Sequence, residues 1–508
     1  MIESPTKGMN GQKMIHAIQK MPKGVTALYF IQAFSTFSFA ILYSSLSLYI
    51  TQQLGFSSTI SNNIVGLFLA FNYVLHLWGG VLGGRYLSNR LLFFITNIMQ
   101  GAGILVLVLS GHSMLYIGLS LFLVGCGLNT TCYNSILTQR FKAEDEEQRD
   151  KAFFLSYAAM NVGFFAGYIL SGFYDYSNEY QELFCISIIT SIITAVIMMF
   201  FWSDFEDTDT PLRSITSPIS RRKRELIGIA STIILVPLMI GFFHFSHFSN
   251  TVVVILSSIM LLVILFLGKK QKDKADFQKI KAFLILTITS IIFWMIYYTG
   301  PMGITLFIKN NVDKHFGGYE LATQWIMNIN AIVIIVGAPI VSIVINKLRS
   351  KGFNLSISIQ FVWAFLILAL SFFFLTLGVK FADSNGFSSL SWVILHLIAQ
   401  SVAELLIGPV GYAMIGKISP VNLQGVLMGT WMMVSGVSAS LSHYFSNAMV
   451  KTEVTDPLIT NIDFLNVFNE LGIWALLGAA FLYFFSGKIR RLIDDIDERQ
   501  TKIKGTTA

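Results

Sequence analysis

The sequence predicts an all-α polytopic membrane protein with fourteen transmembrane helices, and three observations lead to this fold class. First, 54% of the 508 residues are hydrophobic and only 12% are charged, which is too few charges to cover a water-soluble fold of this size. Second, stretches of about 20 mostly apolar residues, the length that crosses the hydrocarbon core, recur along nearly the whole chain. Third, the basic residues are concentrated in alternate connections between these stretches.

The predicted spans group as six, two and six. They are 26–50, 60–83, 91–111, 114–137, 152–173 and 182–202, then 227–246 and 250–268, then 282–308, 322–346, 355–379, 389–416, 422–449 and 464–486. The middle pair is an inserted helical hairpin, bracketed by "RRKR" and "KKQKDK". The domains predicted from this pattern are a cytoplasmic segment 1–25, a six-helix bundle 26–202, linkers with the hairpin (227–268) over 203–281, a second six-helix bundle 282–486, and a cytoplasmic tail 487–508.

The basic residues also predict the orientation of the chain. With the N-terminus inside, 31 of the 35 Lys and Arg residues lie on the cytoplasmic side, and only Lys309, Lys314, Lys380 and Lys451 lie outside. Lys and Arg are enriched in cytoplasmic loops, so both termini are expected in the cytoplasm and the chain in the plasma (inner) membrane. The net charge of +7 then reflects membrane orientation, and binding to nucleic acid is not expected.

The sequence contains no motif that indicates an enzyme. HExxH, GxSxG, a Walker loop and a Rossmann fingerprint beside a soluble domain are all missing from it. The three cysteines lie within spans without metal-ligand spacing, and we expect neither a metal nor a cofactor. Two halves of six spans have the same orientation, as in transporters whose substrate site lies between parallel repeats. Transport driven by an ion or substrate gradient is the function that remains.

Glu404 is the acidic residue that lies deepest in a span. It sits in "QSVAELLIGPVG" at 400–411, and no Lys or Arg lies deep in a span to neutralise it. An ionised group at the bilayer centre costs about 2.5–3.5 kcal/mol even on insertion scales. Glu404 is therefore expected to titrate or to meet a cationic partner. The structural alternative is a neutral glutamic acid that is hydrogen-bonded between helices.

Several stretches carry a family resemblance that spans almost the whole chain. They are the inserted hairpin, "GGVLGGRYLSNR", "FFLSYAAMNVGFFAG" in the fifth span, "NINAIVIIVGAPI", and "AELLIGPVGYAMIGKISP" running into "QGVLMGTW". Together these stretches resemble the proton-dependent oligopeptide transporters, a branch of the major facilitator superfamily. The resemblance implies the major facilitator fold and the transport of di- and tripeptides coupled to protons.

The resemblance also implies roles for individual residues. Glu404 matches a glutamate that meets the peptide's amino group and takes part in coupling. Tyr157, Asn161, Asn330 and Trp431 match substrate-site positions of the family. A Tyr or Asn that bridges two helices, or a Trp that packs, is the structural alternative for each of these four.

The chain departs from the family where the family has charges. Gln32, Ser35 and Thr36 stand in place of the first-span ExxER charges, and Thr130 stands in place of the fourth-span lysine. Three further departures are Tyr298 and Thr299 for a Glu–Gln pair in the seventh span and Gly84 for an acid in the loop after the second span. A buried substrate carboxylate is costly without a cationic partner. We therefore expect an amine-bearing substrate whose carboxylate is absent, masked or recognised by hydroxyl and amide groups.

The first span carries a polar and aromatic stripe at helical spacing: Gln32, Thr36, Phe39, Tyr43 and Ser47. The stripe either lines a wet cavity or forms a helix-packing face held by hydroxyl groups. His76 and His396 are candidates for proton handling, with a satisfied histidine between helices as the alternative.

The sequence predicts a secondary active transporter for di- and tripeptides, or a related amine-bearing substrate, that works by alternating access between 26–202 and 282–486. Its expected partners are the small-molecule substrate, protons and the lipid bilayer, and the expected assembly is a monomer. Two alternatives stay open: a transporter or exporter of a non-peptide metabolite on the same fold, and a substrate sensor that no longer transports.

Overall fold

The computed structural model describes residues 21–110, 114–142, 145–208, 210–271, 274–353, 356–418, 424–452 and 454–505. Most of the predicted N-terminal segment, residues 1–20, lies outside this part of the chain. Within the described residues, a long helix lies at each predicted span, and there are four strands of two residues each. The predicted all-α class is confirmed.

The first eight spans form eight long helices. They are α1 (Val25–Leu48), α2 (Ser58–Leu82), α3 (Asn89–Ser110), α4 (Leu115–Thr138), α5 (Glu146–Phe173), α6 (Tyr180–Phe200), α7 (Pro218–His244) and α8 (Ser246–Lys269). A π-helical turn, Tyr49–Gln53, extends α1. The α7 helix begins with Pro218 at its first position, and the Ser217 side chain accepts a hydrogen bond from the Ser220 amide, an arrangement typical of helix starts.

The remaining helices and the short strands follow in the second half of the chain. They are α9 (Lys274–Tyr297), α10 (Thr305–Asn311), α11 (Thr323–Met327), α12 (Ile329–Ser350), α13 (Ile357–Lys380), α14 (Leu390–Ile418), α15 (Gln424–Met449) and α16 (Pro457–Gly505), with β1 (Val312–Asp313), β2 (His315–Phe316), β3 (Tyr319–Glu320) and β4 (Ser388–Ser389). A π-helical turn, Gly300–Ile304, separates α9 from α10. The β1 strand pairs in parallel with β4, and β2 pairs antiparallel with β3.

Thirteen helical segments in the described residues are long and apolar enough to cross a membrane. The one predicted span without a counterpart among these thirteen is 422–449, which corresponds to α15, a helix of 26 residues that is rich in serine. Many apolar side chains point outward; for example, Phe200 and Phe484 are each 82% exposed. Such exposure would be costly in water and is natural in lipid, so the chain is an integral membrane protein.

The described chain divides into two compact units. Unit 1 contains the described residues of 1–49 together with 74–245, and unit 2 contains 50–73 together with the described residues of 246–508. The α2 helix therefore contributes its first part, to Tyr73, to unit 2 and its second part to unit 1. The division of the chain into the two bundles 26–202 and 282–486 stays a prediction.

Within unit 1, α1 packs on α5 and α6, α3 packs on α4 and α6, and α4 packs on α7. Small residues allow these close contacts. A Cβ atom added at Gly167 would lie 2.7 Å from Ala40 Cβ, and one at Gly125 would lie 2.6 Å from the Thr96 carbonyl oxygen. Gly163 and Gly167, four residues apart in α5, thus allow α1 to pack closely on this helix.

Within unit 2, α13 packs on α14 and α16, α9 packs on α15 and α16, and α12 packs on α14. The 58–73 part of α2 lies against α15. A Cβ atom on Gly66 would be 3.1 Å from the Ala439 carbonyl oxygen, and Asn447 donates to Asn63 at 2.9 Å. Proline lies inside α12 at Pro339 and inside α14 at Pro409, where it removes a backbone donor from the helix.

Candidate functional site

Glu404 lies on α14 in unit 2, and two neutral side chains hold its carboxylate. The Tyr297 hydroxyl, at the end of α9, donates to Glu404 Oε2 at 2.7 Å. The Asn330 amide, in the first turn of α12, donates to the same oxygen at 3.2 Å. Three helices thus converge on one carboxylate, and Glu404 itself is partly exposed.

Asn330 also fixes the neighbouring turn of α14. Its Nδ2 donates to Ser401 Oγ at 2.9 Å, and the Ser401 hydroxyl donates to the Leu397 carbonyl at 2.6 Å. Both protons of the Asn330 amide are used, one for Ser401 and one for Glu404. Because each donor has a single defined acceptor, the orientation of the Glu404 carboxylate is set by its neighbours.

The two hydrogen bonds leave Glu404 Oε1 with no hydrogen bond within the described residues. No Lys or Arg within that part of the chain forms an ion pair with Glu404. A carboxylate with one oxygen held and the other open can take up a proton or accept a hydrogen bond from an ammonium group. Within the described residues, Glu404 therefore has two neutral donors on one oxygen and no ion-pair partner.

Aromatic rings surround the Tyr297 donor. Trp294 packs edge-on against Tyr297 with ring centroids 5.2 Å apart and stacks on Tyr298 at 5.9 Å. The Tyr298 hydroxyl lies 2.7 Å from the Tyr73 hydroxyl. Thr299, which follows the end of α9, is fully buried, and its hydroxyl donates to the Ile296 carbonyl in the last turn of α9.

His396 lies two helical turns before Glu404 on α14 and is fully buried. Its Nδ1 is 3.1 Å from the Ser371 carbonyl oxygen of α13, which can only accept, so Nδ1 carries a proton. Gln400 follows His396 by four residues, about one turn, on the same helix. Neither His396 Nε2 nor Gln400 Oε1 has a hydrogen-bond partner among the described residues, and both atoms are acceptors when the ring is neutral.

Trp431, on α15, is 97% buried, with 3% of its surface exposed. Its ring packs directly over Gly411 of α14, where an added Cβ atom would overlap the ring. In this conformation the ring serves the packing of the two helices. Gly408, one turn earlier on α14, has no such neighbour within 4 Å.

The polar and aromatic stripe of the first span lies in unit 1, and its two ends make different kinds of contact. Gln32 donates to Thr36 at 3.4 Å, and Thr36 is buried where α5 approaches at Gly163. Further along, Phe39 stacks on Tyr43 with centroids 5.5 Å apart. The polar end of the stripe is therefore partly a packing face and the aromatic end is a ring cluster.

The other candidates in unit 1 are dispersed. Tyr157 is 52% exposed, whereas Asn161 is buried and donates to the Tyr157 carbonyl of the preceding turn at 2.8 Å. Thr130 is exposed on α4. His76 Nδ1 is 2.7 Å from the Gly127 carbonyl oxygen, which links α2 to α4. Among the candidates in unit 2, the structure brings Asn330 to Glu404.

Sequence reasoning missed Tyr297, Ser401 and Gln400. Ser401 and Gln400 carried a signal, because they precede Glu404 by three and four residues and therefore share its helix face. Tyr297 carried only the weak signal of a tyrosine next to the family's departures at Tyr298 and Thr299.

A buried polar network in unit 1 was also missed. Gln100 donates to Ser38 at 3.1 Å, Asn129 donates to Gln100 at 3.2 Å, and Thr96 donates to Asn129. Ser38 in turn lies 2.6 Å from Ser187. These bonds join α1, α3, α4 and α6 through uncharged side chains.

The described residues contain no group of three or more His, Cys, Asp or Glu side chains that could hold a metal ion.

Comparison with known proteins identifies the family to which the chain belongs. The sequence model of the POT family matches residues 90–463, which is more than half of the chain. Dipeptide and tripeptide permease A of Salmonella typhimurium is 26% identical over 502 residues, with 96% of each chain covered. The permease A of Citrobacter koseri is 27% identical over 495 residues, with 96% of this chain and 97% of the relative covered.

Solved structures show the same fold. A mutant of a peptide transporter POT in complex with alafosfalin is similar with a TM-score of 0.82 and 19% identity, over 96% of this chain and 100% of that chain. A POT family transporter in complex with 5-aminolevulinic acid has a TM-score of 0.78 and 20% identity, over 92% and 97%. The predicted major facilitator fold and the family resemblance are confirmed, and the chain belongs to the POT family.

Proposed function

We propose that this protein is a secondary active transporter, not an enzyme, that moves di- and tripeptides or a related amine-bearing small substrate across the membrane, coupled to protons. Membership of the POT family supports the transport function, and relatives along nearly the whole chain are named dipeptide and tripeptide permeases. One observation at the site supports the proposal. Glu404 Oε2 accepts hydrogen bonds from Tyr297 and Asn330, whereas Glu404 Oε1 has no hydrogen bond within the described residues.

The proposed coupling follows from the chemistry of that carboxylate. Glu404 Oε1 accepts either a proton or the substrate's ammonium group, and the two compete because both neutralise the same charge. Proton loss from Glu404 makes the carboxylate available to the amine, and reprotonation releases it. Tyr297 and Asn330 keep the carboxylate oriented through both states.

The substrate's other end is proposed to meet uncharged groups. The positions at which the family carries first- and fourth-span cations hold Thr36 and Thr130, and Gln32 stands where the family has a first-span glutamate. These side chains offer hydroxyl and amide groups only. A free carboxylate gains less from such groups than from a bidentate arginine. Tyr43, Tyr157, Asn161, Thr299 and Trp431 are proposed as further substrate contacts, and His76 and His396 as proton-handling residues.

The topology is part of the proposal. Residues 26–202 and 282–486 are taken as the two moving bundles and 227–268 as the inserted hairpin. Both termini are placed in the cytoplasm and the chain in the inner membrane, working as a monomer. The distribution of 31 of 35 basic residues on one side supports this orientation.

Uptake into liposomes tests the function. Purified protein is reconstituted, and accumulation of free, carboxyl-amidated and amino-acetylated dipeptides is measured with and without a proton gradient, beside Glu404→Gln. We expect gradient-driven accumulation of free and amidated peptides, weak accumulation of acetylated ones, and loss of gradient-driven accumulation in Glu404→Gln.

Other outcomes identify the alternatives. Normal accumulation by Glu404→Gln would remove Glu404 from the coupling mechanism, and strong preference for free over amidated peptide would contradict the missing-carboxylate argument. Binding without flux would favour a substrate sensor. Neither binding nor flux of peptides, with flux of another amine, would favour a metabolite transporter or exporter on the same fold.

A further inference from the structure

A basic cavity lies in unit 1. It has a volume of about 550 Å³, and its lining includes Arg85, Tyr86, Lys223, Arg224, Val81 and Ile227. Arg85 and Tyr86 belong to the turn between α2 and α3, and Lys223, Arg224 and Ile227 belong to the first three turns of α7, the first helix of the inserted hairpin. Three cationic side chains therefore face one space from two separate elements.

Close backbone packing holds the two walls of the cavity together. A Cβ atom added at Gly228 would lie 2.7 Å from Leu87 Cγ and 3.1 Å from Tyr86 Cβ, so α7 touches the turn directly below Arg224. Only glycine permits this approach, because any larger residue would push α7 away from the turn.

The turn itself is fixed from its other side. Gly84 adopts a φ of +70°, and its carbonyl accepts a hydrogen bond from the Leu212 amide at 2.8 Å. Asp207 accepts from both the backbone and the side chain of Asn89, each at 3.0 Å. Arg85 is thus carried by a turn with few ways to move away from the cationic residues of α7.

The neighbouring acidic residues are engaged elsewhere. Glu225 pairs with Arg221 at 3.1 Å and Glu206 pairs with Arg213 at 3.8 Å, while Asp207 is bound to Asn89. Within the described residues, the three cations of the cavity have no ion-pair partner. Like charges that converge on one space repel each other, and an anion between them would relieve the repulsion.

Apart from Ser220 and Tyr86, the remaining lining residues of the cavity, Val81 and Ile227, are apolar. Val81 is 40% exposed and Ile227 is 45% exposed, and both lie on the side of the cavity towards the middle of their membrane-spanning helices. A site with a cationic end and an apolar side suits a ligand that is itself amphipathic. Basic pockets between helices near a membrane surface bind anionic lipid head groups.

We propose that this cavity is a binding site for an anionic phospholipid, whose phosphate contacts Arg85, Lys223 and Arg224 and whose acyl chain lies along Val81 and Ile227. The lipid links the inserted hairpin to the α2–α3 turn. Free phosphate shares the head-group chemistry but would leave the apolar wall unused.

Native mass spectrometry of the purified full-length protein tests the proposal, with phosphatidylglycerol and phosphatidylcholine as probes. The target variant is Arg85→Gln/Lys223→Gln/Arg224→Gln. The matched control is Arg222→Gln/Lys269→Gln/Lys270→Gln, which removes the same charge from residues that flank the hairpin and do not line the cavity. We expect wild type to prefer phosphatidylglycerol, the target variant to bind it at least about tenfold more weakly, and the control to change by less than about twofold.

Three further measurements test separately the charge at Arg85, the apolar contact at Ile227 and competition by inorganic phosphate. Arg85→Lys should keep binding within about threefold, because it keeps the charge, and Ile227→Gln should weaken lipid binding without removing a cation. Inorganic phosphate should displace the lipid only at far higher concentration. Equal losses in target and control variants, no preference over phosphatidylcholine, or displacement by phosphate at lipid-like concentration would each overturn the proposal. Elution profile and Tm without lipid establish that each variant is folded, and Arg85→Gln alone replaces the triple variant if that protein does not fold.

Discussion

The hydroxyl of Tyr297 donates to Oε2 of Glu404 at 2.7 Å, joining two residues that are 107 positions apart in the chain. The bond ties the end of α9 to the middle of α14 at the acidic residue that is expected to couple transport to protons. Glu404 receives its only other hydrogen bond in the described residues from Asn330 of α12. The hydrogen bonds of this carboxylate therefore depend on how three helices, α9, α12 and α14, are packed.

The first prediction concerns this bond. A hydrogen bond to a charged group contributes about 1.5–3 kcal/mol, so Tyr297→Phe should lower kcat/KM for peptide uptake by roughly 10- to 100-fold. In a Glu404→Gln background, where the charge is gone, the same substitution should have a much smaller effect. The rate at which labelled peptide exchanges across the liposome membrane, without a proton gradient, measures the effect of Tyr297→Phe in each background.

Tyr298→Phe is the matched control for this double-mutant cycle, because the Tyr298 hydroxyl lies against Tyr73. Its effect on exchange should be the same with Glu404 and with Gln at that position. Equal losses for Tyr297→Phe in both backgrounds would show that the tyrosine acts independently of the carboxylate.

The second prediction concerns the buried His396. With Nδ1–H directed at the Ser371 carbonyl, an added proton converts Nε2 from an acceptor to a donor, and Gln400 Oε1, about one turn further along the same helix, is an acceptor. His396→Asn and Gln400→Leu should therefore both reduce the response of uptake to external pH by several fold. Uptake at a series of external pH values, with the interior pH held constant, checks this.

The structural alternative for His396 makes a different prediction. If the ring serves only to pack against Phe372, from which its centroid is 5.1 Å distant, His396→Asn should lower the Tm and leave the shape of the pH profile unchanged. Gln400→Leu should then have a normal profile as well.

The third prediction concerns the contact between Gly411 and Trp431. An added methyl at Gly411 overlaps a ring that is almost fully buried, so Gly411→Ala should destabilise the fold by about 1–3 kcal/mol, the usual cost of overpacking. Thermal unfolding in detergent measures the loss. Gly408→Ala is the control, since nothing lies within 4 Å of an added Cβ there; equal Tm values for the two variants would contradict the packing account.

The fourth prediction concerns the contact between α2 and α15 in unit 2. Alternating access, as proposed, moves 26–202 against 282–486, so residues 58–73 of α2 have to separate from α15 during transport. Cross-linking Asn63→Cys to Asn447→Cys, whose native side chains are 2.9 Å apart, should reduce uptake several fold. A reductant should restore it.

Ser44→Cys with Ser171→Cys controls for the cross-link itself. These native hydroxyls lie 2.8 Å apart between α1 and α5 within unit 1, and the proposed motion keeps this pair together. Both experiments need the three native cysteines replaced by serine. Unimpaired uptake by the fully cross-linked Asn63/Asn447 variant would rule out separation of α2 from α15.

The interior of the helical pattern was predictable, and the helix ends were less so. The predicted span 152–173 corresponds to α5, which starts at Glu146, and the predicted span 464–486 lies inside α16, which runs from Pro457 to Gly505. Backbone hydrogen bonding continues a helix into water, whereas hydropathy records only the apolar part. The predicted span 282–308 is interrupted by the turn at Gly300–Ile304, where Pro301 lacks a backbone donor.

By itself, the sequence determined the class and the place of the long apolar helices and made Glu404 a candidate, because membrane burial is a local property that about 20 residues decide and a lone carboxylate stands out against it. The tertiary structure decided which side chains meet that carboxylate. Tyr297 and Asn330 reach it only through the rotation and packing of three helices, and the same packing places Trp431 over Gly411. Such contacts depend on distant parts of the chain, which no local pattern records.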